Sequence, residues 1–218
     1  DAIKIMAAMG EAIQSLCISQ DVREAQGINS RIDLAQAQKI MRQRILDNFM
    51  ASGVSIIDPD TTYIEAGCKI GRDTVIYPFT VIEKDVIIKK FCSIGPFCHL
   101  RPGTRIEDKA VIGNFTEVVR SRIGQDTLMK HFSYLGDCLV SRSVNIGCGT
   151  VSANFDGKNK QKTVIGEGAF IGSDTILRAP VKIGKKAVTG CGSVIIKDVS
   201  AGEVVVGVPA RTLRKTIG

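Results

Sequence analysis

From Ile64 to Val118 the chain reads IEAGCK-IGRDTV-IYPFTV-IEKDVI-IKKFCS-IGPFCH-LRPGTR-IEDKAV-IGNFTE-V. Each hexad opens on an aliphatic residue: Ile64, Ile70, Ile76, Ile82, Ile88, Ile94, Leu100, Ile106, Ile112 and then Val118. Four residues after the first nine anchors stand Cys68, Thr74, Thr80, Val86, Cys92, Cys98, Thr104, Ala110 and Thr116, all small or β-branched. An amphipathic helix repeats near 3.6 and a half-buried strand repeats every two residues, so a period of six fits neither. It fits a coil in which a short strand buries one bulky side chain and the corner after it has room only for a small one. The expected fold class is an all-β solenoid, a left-handed parallel β-helix of hexapeptide repeats. The frame returns at Ile165, Ile171, Leu177, Ile183 and Ile195, with Thr189 the expected polar anchor. Three hexads per coil give about seven coils over residues 64–199, on the order of 35 Å of stacked strands.

Outside the repeat the pattern changes. Residues 1–30 show no hexads. From Ser30 to about Ser52 the spacing of Leu34, Ala37, Met41, Ile45 and Phe49 predicts a helix. Ser30 is placed to cap it, Asp33 lies three residues on, and Gly53 stops it. A helix there would cover the first coil, whose open edge would otherwise invite aggregation. The expected division is 1–53 (domain remnant and linker helix), 54–199 (β-helix) and 200–218 (basic tail).

Composition agrees with a narrow aliphatic core. Hydrophobic residues make up 44% of the chain and aromatics 5%, and there is no Trp. The net charge of +7 allows anionic partners. The basic residues form no long run and are not interleaved with stacking aromatics, so nucleic acid is not expected. Seven cysteines, an odd number without a CxxC pair, argue for reduced thiols and not for a disulfide framework. Without a signal-peptide pattern or a membrane-length apolar run, a cytoplasmic protein with no membrane insertion is expected. The two histidines, His99 and His131, cannot supply a three-imidazole zinc site from one chain, and no metal is expected.

The frame breaks twice, and breaks in a solenoid are where binding loops leave the body. Near 119–130 it slips by one residue, restarting at Ile123 and continuing at Met129 and Leu135. Between Ile146 and Ile165 it pauses for a polar stretch, Ser152 to Lys162, read as an excursion loop. His131 follows the first break. A lone histidine is most often a surface side chain bonded to a turn. Here it stands near Tyr134 in sequence and, one or two coils on, near Asn145 and Asn154. An imidazole is the side chain best matched to removing a proton from an amine near neutral pH.

The motifs LRPG at Leu100–Gly103, GNFTE at 113–117, HFSYLGD at 131–137, VNIGCGT at 144–150, NFDG at 154–157 and GSDT at 172–175 occur in that order. Together they closely resemble the acetyltransferase half of the bacterial bifunctional N-acetylglucosamine-1-phosphate uridylyltransferase/glucosamine-1-phosphate acetyltransferase family, from about residue 20 to 200. Gly27 to Arg31 resembles the end of that family's uridylyltransferase domain, whose metal-holding Asn corresponds to Asn29; the nucleotide-binding body is absent from this chain. The resemblance implies acetyl transfer from acetyl-CoA to the amine of glucosamine 1-phosphate, for UDP-sugar and cell-envelope synthesis, by a homotrimer with sites between subunits. By position, His131 would be the general base. Tyr134, Asn145 and Asn154 would hold the sugar and acetyl groups, and Arg101 and Lys160 would face the sugar phosphate, Lys160 from a neighbouring subunit. Cys148, Ser173 and Cys191 would line the coenzyme channel with Asn154 and Phe155, and Arg211 or Lys215 would reach the coenzyme phosphates.

Three positions depart from the family pattern. Val119 replaces a Lys, with Arg120 or Arg122 as nearby substitutes. Phe155 replaces a Tyr, and Gly207 stands where an Arg precedes Val-Pro. They leave open another amino-sugar-phosphate acceptor. A non-catalytic trimeric β-helix is the alternative of a different class.

Overall fold

The computed structural model describes residues 1–16 and 22–215. Cys17 and the last three residues lie outside them, as does the side chain of Lys215. The chain divides into two compact units, Asp1–Ile40 and Met41–Gly218.

The first unit holds a short helix, Ala2–Ala8, a 3-10 turn, Val22–Ala25, and the start of the long helix Arg31–Ala51. The long helix begins as the sequence predicts. Ser30 Oγ accepts a hydrogen bond from the Asp33 amide at 3.1 Å, and Asp33 Oδ2 accepts one from the Ser30 amide at 2.8 Å. That reciprocal pair satisfies donors that a helix start leaves open. Its carboxyl is held below the usual range, chiefly by the Ser30 side chain.

In the second unit the helix buries only its end. Leu46 is fully buried, and Ile45, Phe49 and Met50 pack on the core that begins with Val54 and Ile56. The expected stripe runs too far: Leu34 and Met41 are 39% and 51% exposed. Gly53 ends the helix in the left-handed region at φ 92°, where a side chain would be strained.

The solenoid follows as three sheets of ten, eight and seven strands among the described residues, parallel except for the last pair of the first sheet. The first sheet opens with Ser55–Ile56, the second with Tyr63–Ile64 and the third with Lys69–Ile70. Successive strands of one sheet lie a full coil apart in sequence, as in Val81 pairing with His99 and His99 with Glu117. All ten anchors point inward. Nine are buried and Ile70, in the first turn, is half-buried. Burying each such side chain is worth about 1.5–3 kcal/mol, so the column of anchors supplies most of the driving force. The small partners close the corners. Thr74, Thr104, Thr116, Thr150 and Thr175 turn their hydroxyls onto backbone carbonyls at 2.7–3.0 Å, which removes the penalty of burying them. Burial raises the Cys68 and Cys92 thiols to about 11 and Cys98 to about 12, so these cysteines fill corners as neutral thiols.

At most corners the third residue after the anchor takes a left-handed φ: Asp73, Phe79, Asp85, Phe91, Phe97, Gly103, Lys109 and Phe115. Phe79, Phe97 and Phe115 stack along one corner, with ring centroids 4.8 and 5.0 Å apart.

The structure differs from the sequence reading in its details. The frame contracts twice at the corner between the second and third sheets. Val118 is followed by the anchor Ile123, and Leu135 by Val140, each one residue early; only the first slip was expected. Thr189 is not the sole polar anchor, because Ser152 also points inward, 1% exposed, with its Oγ accepting from the Gly136 amide at 2.7 Å. Residues 203–207 and 210–215 form strands. Strand Glu203–Gly207 joins the first sheet beside Val188–Thr189 and turns into Ala210–Lys215, an antiparallel edge.

Candidate active site

Adjoining strands of the second sheet, with the corners at their two ends, position most of the candidate residues. Arg101 follows the buried anchor Leu100 at the corner leading to the third sheet. Its Nη1 donates to Glu117 Oε1 at 2.8 Å, and its Nε lies 3.7 Å from Glu83 Oε1. That Nε is buried and makes no hydrogen bond among the described residues. Glu83 Oε1 is also 2.6 Å from His99 Nε2. The hydrogen-bonded carboxylate of Glu117 pushes the Arg101 pKa further up, so the guanidinium is a fixed positive charge.

Tyr134 lies in strand Ser133–Gly136, between Glu117 in the preceding coil and Val151 in the following one. Its hydroxyl and the Asn154 side chain both lean over Gly136. A Cβ added at Gly136 would meet Asn154 Nδ2 at 2.6 Å and the Tyr134 hydroxyl closer still. The missing side chain makes the space in which these two polar groups meet.

The two contracted corners build the floor beside them. Each moves the left-handed residue one place forward, to Arg120 (φ 46°) and Asp137 (φ 55°). The two therefore lie one coil apart, with the Asp137 amide donating to the Val119 carbonyl. Arg120 grips Asp137 with both arms, Nε to Oδ1 at 2.7 Å and Nη2 to Oδ2 at 2.8 Å. Asn154 Nδ2 also donates to Asp137 Oδ2. Arg120 above all, then Asn154 and the charge of Lys160, hold the Asp137 carboxyl below the usual range against the opposing effect of burial.

The expected excursion loop leaves the body after strand Val151–Ala153 and returns as a small hairpin. Phe155 bridges Lys160, and the Gln161 amide donates to the Asn154 carbonyl at 2.6 Å. Asp156 ties the tip by accepting from the amides of Lys158 and Asn159 and from Gln161 Nε2, at 2.7–2.9 Å. These donors lower its carboxyl to about 2. Phe155 is 60% exposed.

At the opposite end of strand Ser133–Gly136 lies the corner from the first sheet. The strands flanking this corner pair with one common offset from coil to coil, so His131, Cys148, Ser173 and Cys191 form one column. His131 is exposed, and its imidazole has no hydrogen-bond or ion-pair partner among the described residues. Cys148 and Ser173 are half-buried and Cys191 is exposed. Asn145 sits apart on the first sheet, half-buried, and Arg211 lies on the edge strand, exposed, with Nη1 on the Ala210 carbonyl at 2.9 Å.

Within one chain, then, Arg101, Tyr134, Asn154 and Lys160 gather near one corner, and the His131 column follows the other. The first cluster offers cations and amide and hydroxyl groups to an anionic, hydroxylated ligand; the second offers a free imidazole. Among the described residues no three or more His, Cys, Asp or Glu side chains are grouped as a metal would need, and no helix is long and apolar enough to cross a membrane.

Comparison with known proteins points the same way. The bacterial transferase hexapeptide (six repeats) family matches residues 162–197. The bifunctional protein GlmU of Desulfitobacterium hafniense is 41% identical over 239 aligned positions, covering 94% of this chain and 52% of the relative. GlmU of a Geobacillus species is 42% identical over 232 positions, with 91% and 50% covered. This chain aligns along nearly its whole length with part of GlmU. It spans about half the length of the curated relatives it matches. Among solved structures, the UDP-N-acetylglucosamine acyltransferase LpxA of Bacteroides fragilis shares the fold at TM-score 0.56 and 17% identity, covering 72% of this chain and 73% of that one.

The two arginines nearest Val119 in sequence are already engaged. Val119 is buried at 2% exposure; Arg120 is committed to Asp137, and Arg122 donates to Glu107 at 2.9 Å on the third sheet. Sequence reasoning passed over Glu117, Gly136 and Asp137 as site-builders. The one available signal was the early anchor Val140 after Leu135.

Proposed function

We propose that this chain is a glucosamine-1-phosphate N-acetyltransferase that uses acetyl-CoA and works as a cytoplasmic homotrimer. The observation that carries the reading is the meeting of Tyr134 and Asn154 over Gly136, on a chain that aligns along nearly its whole length with half of GlmU. Arg101, pinned by Glu117 and with its side chain 43% exposed, suits one oxygen of the sugar phosphate. Tyr134 and Asn145 hold the sugar. Asn154, Phe155, Cys148, Ser173 and Cys191 border the coenzyme, with Arg211 on its phosphates. His131, whose ring nitrogens are unclaimed, removes a proton from the sugar amine. The nitrogen lone pair attacks the thioester carbonyl, the C–N bond forms, the C–S bond breaks, and the coenzyme thiolate leaves to be protonated. The separation of the His131 column from the Arg101 corner within one chain supports a site completed by a neighbouring subunit; Lys160, expected from that neighbour, lies by the Asp137 and Asn154 of its own chain.

The test is release of coenzyme thiol from acetyl-CoA with glucosamine 1-phosphate, galactosamine 1-phosphate and free glucosamine as acceptors. Glucosamine 1-phosphate is expected to give the highest kcat/KM. Arg101→Ala is expected to raise its KM roughly 10- to 150-fold, the loss of one charge-assisted hydrogen bond, while the KM for acetyl-CoA stays within about twofold. No acceptor-dependent thiol release would sink the reading, and equal losses for both substrates would make Arg101 structural.

A further inference from the structure

Asp137 is fifth in the stretch 133–137 that links the two halves of the site, yet nothing in the proposed chemistry uses it. Its side chain is only 14% exposed, and both carboxylate oxygens are engaged. Oδ1 takes Arg120 Nε, while Oδ2 takes Arg120 Nη2 and Asn154 Nδ2. A carboxylate can only accept, so the Asn154 amide must turn its NH2 toward Asp137, and its Oδ1 faces the other way. That Oδ1 accepts no hydrogen bond from any described residue. An unrestrained asparagine can present either end to a ligand. This one commits an N–H to Asp137 and turns its carbonyl oxygen away from it.

The arrangement exists because two corners of the solenoid are each one residue short. With a corner of ordinary length after Val118 or Leu135, the left-handed residue would fall one place later and the fork of Arg120 would lose its partner. The coil before the first contraction shows the contrast: the left-handed place there is Gly103, and Arg101 turns outward to Glu117.

We propose that Asp137, held by Arg120, is a positioning residue that locks the Asn154 amide with its oxygen toward the reacting groups, fixing the site to an N–H donor. The proposal rests on the acetyltransferase reading above. The donor it selects is chemically defined: the amine nitrogen of the acceptor, and not a bare carbonyl. Arg120 acts through Asp137. Its planar fork satisfies both oxygens at once, which a lysine cannot do.

The test is a double-mutant cycle on turnover with the full trimeric chain. Asp137→Asn keeps the size of the side chain but frees the Asn154 amide to flip. It is expected to lower kcat roughly 10- to 100-fold, the cost of a misplaced group at a reacting centre, with acetyl-CoA affinity by calorimetry within about twofold of wild type. In an Asn154→Ala background the same change is expected to alter kcat by less than about twofold, because the group it positions is gone. Arg120→Lys, which keeps the charge and loses the fork, is expected to fall between wild type and Asp137→Asn, and it carries the test at low temperature if Asp137→Asn is poorly folded. Equal effects of Asp137→Asn with and without Asn154, or full activity of both Asp137→Asn and Arg120→Lys, would overturn the proposal. A wild-type chain without acceptor-dependent thiol release would instead sink the acetyltransferase reading itself.

Discussion

The coils from Ile64 to Val118 and those from Val119 to Ile165 share three sheets and one core, yet their outer surfaces differ. In the first stretch every anchor follows the last by six residues, and the left-handed place at the corners is held by Phe, Asp, Lys or Gly. In the second, two corners shorten and a third expands into the loop Asn154–Gln161. The core ignores this: Ile123, Leu135, Val140 and Ile165 are as buried as Ile82 or Leu100. A corner can gain or lose residues because parallel strands simply pair at a new offset, while the next anchor still reaches the interior. Irregular length therefore costs the core little and changes which outward side chains meet. That is how Arg120, Asp137 and Asn154 come together.

The sharpest way to test the contrast is His131→Ala. The side chain is exposed and unpartnered, so its loss is expected to leave the melting temperature within about 1–2 °C of wild type. Turnover by thiol release is expected to fall roughly 10²- to 10⁴-fold. A variant that keeps more than about a tenth of its activity would return His131 to the status of an ordinary corner residue.

A pair of glycines sets the two kinds of corner against each other. Gly136→Ala places a Cβ against Asn154 and Tyr134 and is expected to cost turnover about 10²-fold through their displacement. Gly168 lies at a corner of ordinary length with φ 66°, and its Cβ would meet only the Lys186 side chain, at 3.5 Å. Gly168→Ala is expected to cost about 1–2 kcal/mol of stability from the left-handed backbone, with activity kept. Kinetics and urea unfolding on both variants read the difference; similar activity losses would remove the distinction between the regions.

The smallest expected effect is on acid stability. The Asp137 carboxyl is depressed in the folded chain, chiefly by Arg120. Its contribution is complete above the unfolded carboxyl pKa of about 3.9 and fades as pH drops through the lower folded value. Asp137→Asn is thus expected to flatten the fall in urea midpoint between about pH 6 and pH 3. An unchanged slope would mean the pair adds no stability of its own.

Residue volume alone made the solenoid legible. Ile94 and Cys98, or Leu100 and Thr104, sit at the positions their sizes demand, because the interior of a narrow coil discriminates bulky from small at every step. Ser30 and Asp33 announced the helix start for an equally local reason, since a cap involves neighbours only four residues wide. The polar run 152–162 announced the loop. Tertiary structure decided the rest. The helix stripe at Leu34 and Met41 reads as core, and it stays exposed because burial depends on what lies opposite and not on periodicity. The pairing of Arg120 with Asp137, the space over Gly136 and the direction of the Asn154 amide all join residues about one coil apart. Their neighbours are set by strand offset, and one residue more or less in a corner replaces every outward partner while leaving the six-residue rhythm almost untouched.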